Sequence, residues 1–506
     1  MPQGDADHVE ASTGAWRRRS TAGLVVLTLL IAGATYRFDL GARLFGLDEP
    51  SPVEVPAQAP AQAPAQTPAQ APVDVPAEVV APLEVSLPPA PEPDAVADAV
   101  EPQAADPRAV RRTVRPLVSD RRLGPDVAVA VNQLSDGASV YRSGPSRMVP
   151  ASTLKLLTTG AALVRLGGEH RFSTRVVDGA GRREIVLVGG GDPFLAREPV
   201  SDDTVYPPRA DIVTLARSTA RALRADGRTR VRLRYDASLF TGPSASPHWE
   251  ASYLPDNVVS PIGSLWVDQG RLPDSYVRSV EPALDAARAF GQALRSRGIR
   301  VLGEPVEGLA GPRDAGLAVV RSAPLAQIVE RVLDVSDNEA AEVLARHVAL
   351  AGGEPASFAG GSRAVVDAMA EVGVDAGRAT IYDGSGLSRD NRVAPETLLS
   401  VLETAASAEH PEMRPLLTGL PVAGFTGSLT YRFDTGAPQG LGIVRAKTGS
   451  LRRVQGLAGT LATRDGAVLT FVAMADRVRV RDTLDARAVL DRIAAALAAC
   501  RCTANG

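Results

Sequence analysis

One stretch decides where this chain can fold and where it cannot. From Asp48 the sequence runs DEPSPVEVPAQAPAQAPAQTPAQAPVDVPAEVV and keeps the same Pro/Ala/Gln/Glu character to about position 110. Proline recurring at every fourth position removes backbone donors and clashes with the preceding turn, so no helix survives there. Apolar periodicity is absent as well, so no strand or core face is on offer. Residues 48–110 therefore read as a linker in a semi-extended, polyproline-like regime. At about 3.1 Å per residue it would reach on the order of 190 Å. Folded structure has to lie on either side of it.

Before the linker, WRRRS (Trp16–Ser20) precedes an apolar run from Thr21 to Tyr36. Positive charge followed by an apolar core is the pattern of a signal segment, and Ala32-Gly33-Ala34 offers a cleavage site. The alternative is an uncleaved membrane anchor with Arg17, Arg18 and Arg19 held inside. The run is short for a spanning helix, which needs about 20 apolar residues. A long spacer makes most physical sense when its start is fixed, which favours the anchor for residues 1–47. On either reading the bulk of the chain is expected outside the cytoplasm, tethered to the cytoplasmic membrane or secreted after cleavage.

Order resumes near Arg111. DVAVAVNQL (Asp126–Leu134) and ASVYRSG, joined by Ser135-Asp136-Gly137, predict a β-hairpin. STLKLLTTGAALVRLG, opened by Pro150 and stopped by Gly167-Gly168, predicts a helix. ADIVTLARSTARALRADG and ALDAARAFGQALRSRG read as amphipathic helices, each leading into a valine-rich strand. DNEAAEVLARHVALAGG is a further helix. VQGLAGTLATRDGAVLTFVAMAD is two strands about Arg464-Asp465-Gly466, and DARAVLDRIAAALAAC closes as a helix. The expectation is a mixed α/β chain, with an antiparallel sheet flanked by helices built from its early and late parts.

With 506 residues and 45% hydrophobic content, two or three domains are expected. A net charge of −3, with no basic helix, gives no footprint for nucleic acid. The five histidines are widely separated and no H-E-x-x-H occurs, so neither a metal nor another cofactor is expected. VGGGDPFL (Val188–Leu195) lacks the P-loop lysine, and DGSGLS (Asp383–Ser388) only approaches a G-x-S-x-G elbow and reads as a glycine turn. The two cysteines, Cys500 and Cys502, exclude a disulfide framework. One close-range bridge is sterically awkward but allowed, and a reactive or metal-binding pair is the sharper reading. The favoured expectation is an incidental tail over 501–506.

Chemistry enters through lysine. Of 55 basic residues only Lys155 and Lys447 are lysines. An arginine cannot give up its proton, whereas a desolvated lysine can. Ser152 and Lys155 form an i, i+3 pair at a helix start, which puts hydroxyl and amine on one face. The helix terminus favours an alkoxide and lowers the amine's proton affinity. Ser336-Asp337-Asn338 precedes a helix of its own; the plain reading is an N-cap, and the functional one is a proton-relaying hydroxyl with a substrate-binding amide. Lys447-Thr448-Gly449-Ser450 lies just before a strand pair. There Lys447 and Thr448 can meet a carboxylate, Gly449 clears space along a strand edge, and the N–H groups of Ser450 and Ser152 can share an oxyanion hole. Each motif alone is weak, but the only two lysines of the chain both fall inside the set.

In the order S-x-x-K, S-D-N, K-T-G, these motifs resemble those of the penicillin-recognising serine enzymes. The chain from Lys155 to Ser336 (336 − 155 = 181 residues) is too long for a compact class A β-lactamase. It resembles the class C low-molecular-mass penicillin-binding proteins, the D-alanyl-D-alanine carboxypeptidase/endopeptidase family, in which a domain is inserted between the first two motifs. LVGGGDPFL, the Tyr235–Arg271 segment, DGSGLSRDN (Asp383–Asn391) and VAGFTGSLTYRF (Val422–Phe433) are similar to further family stretches. Asp268-Gln269-Gly270 stands where that family would lead one to expect an asparagine.

The resemblance implies a β-lactamase/transpeptidase-like domain over 111–175 and 316–500, with an inserted α/β domain over 176–315. It implies a serine D,D-peptidase acting on peptidoglycan stem peptides, as carboxypeptidase, endopeptidase or both, and acylated by β-lactams. Ser152 would be the nucleophile, Lys155 its base and Ser336 the proton shuttle. Asn338 would hold the peptide, and Lys447, Thr448, Gly449 and Ser450 the terminal carboxylate and the oxyanion. No E-x-x-L-N deacylation element like that of class A β-lactamases is evident, so β-lactam adducts are expected to persist. The alternatives are a serine β-lactamase and a non-catalytic wall-binding scaffold.

Overall fold

The computed structural model describes residues 103–503 apart from 201 and 203, so the expected N-terminal segment and most of the expected linker lie outside the described residues. Structure begins earlier than Arg111. Helix α1 spans Pro107–Val118, with Asp106 accepting from the Arg108 N–H and a proline in the first turn. An acidic cap followed by proline is a helix start, and here it overrides the surrounding linker composition.

Five strands form the first sheet: β1 (Asp126–Gln133), β2 (Ser139–Ser143), β9 (Arg445–Leu451), β10 (Val454–Ala462) and β11 (Val468–Asp476). Their order is β2-β1-β11-β10-β9, every pair antiparallel. The predicted hairpins β1–β2 and β10–β11 are thus present, joined through β1 and β11. Strand alternation divides β1 cleanly. Val129 and Val131 face α1 and the closing helix α10 (Thr483–Ala499), while Ala128 and Ala130 face the opposite helical layer. That layer holds α2 (Lys155–Leu166), α5 (Leu325–Val335), α6 (Asn338–Ala351), α7 (Phe358–Glu371), α8 (Pro395–Ala406) and the short α9 (Arg414–Thr418). The helix of this layer that lies against the sheet is α8, which packs on β1, β10 and β11.

The second sheet lies between the first and second motifs in sequence. It contains β3 (Ser173–Asp178), β4 (Glu184–Val188), β5 (Arg230–Asp236), β6 (Arg300–Val301), β7 (Val306–Glu307) and β8 (Gly316–Arg321). The order is β6-β5-β4-β3-β8, with β7 also pairing β5. The predicted amphipathic helices are α3 (Ile212–Ala225) and α4 (Pro282–Arg295), and they share a separate apolar core with this sheet. Its strands reach a few residues beyond 176–315 at each end, because β3 and β8 pair with each other. The long segment between β5 and α4 returns to the first unit: Trp249, Tyr253, Ile262 and Trp266 pack with Val343 of α6, Phe358 of α7 and Leu387. Each indole buries on the order of 200 Å², worth about 5 kcal/mol of gross apolar stabilisation.

The C-terminal cysteines belong to the core, contrary to the expected tail. Cys500 and Cys502 form a disulfide and both are buried in the cluster beneath α1 and α10. The Cys502 carbonyl accepts from the Asp106 N–H, the Cys500 carbonyl accepts from the Arg464 N–H, and Thr503 bridges to Ala105. The chain end is stitched to the start of the folded unit, which explains its burial.

Candidate active site

Ser152 and Lys155 stand at a junction of two helix types. Residues Ala151–Leu154 form a single 3-10 turn, and α2 begins at Lys155, so the predicted helix start is tighter than expected. Three residues per turn stacks i over i+3, and Lys155 Nζ lies 3.1 Å from Ser152 Oγ. Ala151, fully buried, holds a left-handed φ of 45°, a strained conformation set immediately before the serine. Two glycines make room for this turn. A Cβ on Gly386 would fall 1.8 Å from the Ala151 carbonyl oxygen, and one on Gly449 would fall 2.7 Å from that of Pro150. Gly449 therefore lets β9 approach the serine turn.

Lys155 is completely buried. Its Nζ donates to Asn338 Oδ1 at 2.8 Å and to the Ser385 carbonyl at 2.6 Å. Neither oxygen has a proton to return, so in the neutral amine the two N–H bonds go to them and the lone pair faces the Ser152 hydroxyl. Burial lowers the ammonium pKa to about 8, against an opposing pull from Glu342, Asp383, Asp337 and Glu339.

The S-D-N stretch divides its labour. Ser336 ends α5 in the left-handed region (φ 61°), Asp337 caps α6 by accepting from the Ala340 N–H at 2.9 Å, and Asn338 opens the helix. The cap reading thus belongs to Asp337 alone, while Asn338 reaches Lys155. The Ser336 hydroxyl is hydrogen-bonded to neither Ser152 nor Lys155.

The K-T-G motif lies on β9, the edge of the first sheet. Lys447 is fully buried and, among the described residues, donates only to the Thr448 carbonyl, at 3.1 Å. Its pKa sits well below the ordinary lysine value, through burial first and the nearby Lys155 charge second. Thr448 Oγ1 shares a 3.0 Å hydrogen bond with Ser428 Oγ, and Ser450 Oγ donates to Gln455 at 3.2 Å. The Ala446 N–H points away from β10, to the Pro421 carbonyl. Alternation along the strand then turns the N–H groups of Thr448 and Ser450 to the same open edge.

The sequence model of the D-Ala-D-Ala carboxypeptidase 3 (S13) family matches residues 110–278 and 273–497. The chain belongs to the S13 family. This S13 member is 37% identical over 429 residues to a carboxypeptidase of Mycobacterium tuberculosis, covering 82% of this chain and 90% of that protein. It is 36% identical over 430 residues to the carboxypeptidase DacB of Mycolicibacterium smegmatis, covering 83% and 91%. The crystal structure of penicillin binding protein 4 from Haemophilus influenzae shares its fold, with a TM-score of 0.62 at 23% identity over 77% of this chain and 98% of that one.

Sequence reasoning missed three residues around the S13 motifs. Ser385 supplies the carbonyl that orients Lys155, in the stretch read as a glycine turn. Glu342, one turn beyond Asn338, is buried and accepts from the N–H groups of Gly384 and Ser385 at 2.9 and 2.8 Å. Burial raises its pKa to about 7. Ser428 braces Thr448. The place of Glu342 at i+4 from Asn338, on a face shared with Ala341, Ala345 and Ala349, was the available signal for the second.

Proposed function

We propose that this chain is a serine D,D-peptidase of peptidoglycan, cleaving the D-Ala-D-Ala terminus or a D,D-crosslink through an acyl-serine. The carrying observation is the geometry at Lys155, whose Nζ lies 3.1 Å from Ser152 Oγ and has the Asn338 and Ser385 oxygens to take its other N–H groups. As Ser152 Oγ bonds to the carbonyl carbon of the penultimate D-alanine, Lys155 Nζ takes the hydroxyl proton. The developing oxyanion is held by the N–H groups of Ser152 and Ser450. Collapse breaks the C–N bond, and the proton returns through Ser336 to the leaving amine. Water then cleaves the ester with Lys155 again as base.

Lys447 has donors to spare and takes the terminal carboxylate with Thr448, which Ser428 orients. The Asn338 side-chain amide, its oxygen committed to Lys155, offers its NH₂ to the peptide. The open β9 edge accepts an extended peptide as an added strand. β-Lactams carry the matching carboxylate and carbonyl, and acylate the same serine. The site of action is the cell envelope, and the Arg17–Tyr36 segment is proposed to tether it there. Among the described residues no helix is long and apolar enough to cross a membrane.

Fluorescent penicillin is expected to label the wild type covalently, and Ser152→Ala to abolish labelling together with D-alanine release from a defined pentapeptide. Undiminished labelling of Ser152→Ala would overturn the assignment.

A further inference from the structure

Behind the Ser336–Asn338 turn, on the side faced by Asp337, lies a cavity of about 360 Å³. It sits where the inserted domain meets α5 and α6. Four arginines line it, namely Arg209, Arg271 and Arg278 from the inserted domain and Arg331 from α5, together with Ser336, Asp337, Asn338 and Glu339.

The local acids are already committed. Asp337 caps α6 and accepts from Gln269 Nε2 at 2.8 Å, and Glu339 pairs with Arg278 at 2.7 Å. Arg271 donates to Gln269 Oε1 at 2.9 Å. Arg209, Arg271 and Arg331 have no carboxylate partner among the described residues. Arg209 Nε and one terminal nitrogen of Arg278 are buried without a hydrogen-bond partner among the described residues. Burial, and then the Arg331 charge, push the Arg209 pKa down. Four guanidinium groups thus share this wall with two carboxylates, and the pull of Asp268 and Asp337 on Arg209 only partly offsets its burial and the Arg331 charge.

The backbone around the cavity is also held under strain. Asp268, Gln269 and Gly270 take consecutive left-handed φ values of 51°, 56° and 74°, which delivers Gln269 to Asp337, and Ser336 opposite is left-handed too. Strain of this kind persists where the surroundings over-determine it. Here it joins the inserted domain to the turn that carries Ser336 and Asn338.

We propose that this cavity is an oxyanion subsite, taking a carboxylate or phosphate group of the wall polymer whose D,D-peptide end is cleaved at Ser152. This rests on the peptidase reading above. Guanidinium groups match such oxyanions in shape as well as charge. The shared wall makes occupancy bear on catalysis: an anion bridging Arg209 and Arg331 clamps the inserted domain to α5 and holds Ser336 and Asn338 in place. Two sources carry the chemistry, a stem-peptide carboxylate upstream of D-Ala-D-Ala and a phosphate of an anionic wall polymer.

The test uses the full chain and an Arg209→Gln/Arg331→Gln variant. Inorganic phosphate is expected to raise the melting temperature of the wild type, relative to chloride at equal ionic strength, through preferential binding to the folded state. The variant is expected to lose this response while fluorescent penicillin still labels it. A pentapeptide with a free upstream carboxylate is expected to show a KM about tenfold below that of its amidated form, and the variant to erase the difference. That outcome assigns the subsite to the substrate carboxylate. A phosphate response without peptide discrimination assigns it to a wall-polymer phosphate. A wild type that shows neither response while penicillin still labels it overturns the subsite and leaves the peptidase reading standing. Failure of penicillin labelling in the wild type overturns the peptidase reading itself.

Discussion

The two lysines are equally buried and lie within each other's field, yet their surroundings are opposite. Lys155 has a complete shell: one amide oxygen, one backbone carbonyl and one serine hydroxyl, each within 3.1 Å. Lys447 has a single backbone carbonyl. Leaving a buried ammonium short of partners is costly. A lysine whose neighbours dictate where its lone pair points is arranged to move a proton. A lysine with idle donors beside an open strand edge is arranged to receive an anion. On the proposed reading, the same residue type at the same depth is fitted for two jobs by what surrounds it.

The comparison breaks most sharply at Lys155→Arg. The charge and much of the volume stay while the base is lost, so kcat/KM for a pentapeptide is expected to fall by about 10²–10⁴-fold. Near-wild-type D-alanine release would mean that only a cation is needed there. At Lys447 the expected loss is smaller and depends on the substrate. Lys447→Ala removes a charge-assisted contact worth about 1.5–3 kcal/mol, or about 10- to 100-fold in kcat/KM. A substrate amidated at its C-terminus is expected to be poor with the wild type and to lose little more with the variant. Equal losses for acid and amide would contradict the carboxylate role.

Glu342→Gln sharpens the account of Lys155. The carboxylate favours the Lys155 ammonium, so removing its charge lowers the lysine pKa further, and the acid limb of the rate profile is expected to move to lower pH. An amide also turns a donor toward the N–H groups of Gly384 and Ser385, with an expected stability cost of about 1–3 kcal/mol in chemical denaturation. An unmoved limb would mean that Glu342 serves the backbone only. The smallest effect is expected at Ser428→Ala. Losing one neutral hydrogen bond to Thr448, about 0.5–1.5 kcal/mol, is expected to raise KM by about two- to tenfold.

Periodicity and turn chemistry were enough to find both hairpins, the helices around the motifs and the two amphipathic helices that pack on the second sheet. The motif residues themselves were legible because lysine is so scarce here. What the sequence concealed arises from long-range contact. Nothing local to DGSG says that the Ser385 carbonyl will meet an amine 230 positions away. The close approach of Gly449 to Pro150 was hidden because Pro150 belongs to a distant element. The cysteine pair looked incidental because a chain end carries no local sign that it will be covered by α1. Ser336-Asp337-Asn338 was read as one motif with one cap, and only the three-dimensional turn separates the strained serine, the capping aspartate and the asparagine aimed inward.

The central claim is that Ser152 is activated by a neutral Lys155, and the pH dependence of Ser152 acylation tests it most directly. Measured as kcat/KM for pentapeptide hydrolysis, or as the rate of penicillin labelling, the wild-type rate is expected to rise with pH through a limb centred near the lysine's pKa of about 8. The limb is expected to be absent from the residual activity of Lys155→Arg. A wild-type rate flat across that range, or the same limb surviving in Lys155→Arg, would contradict the account.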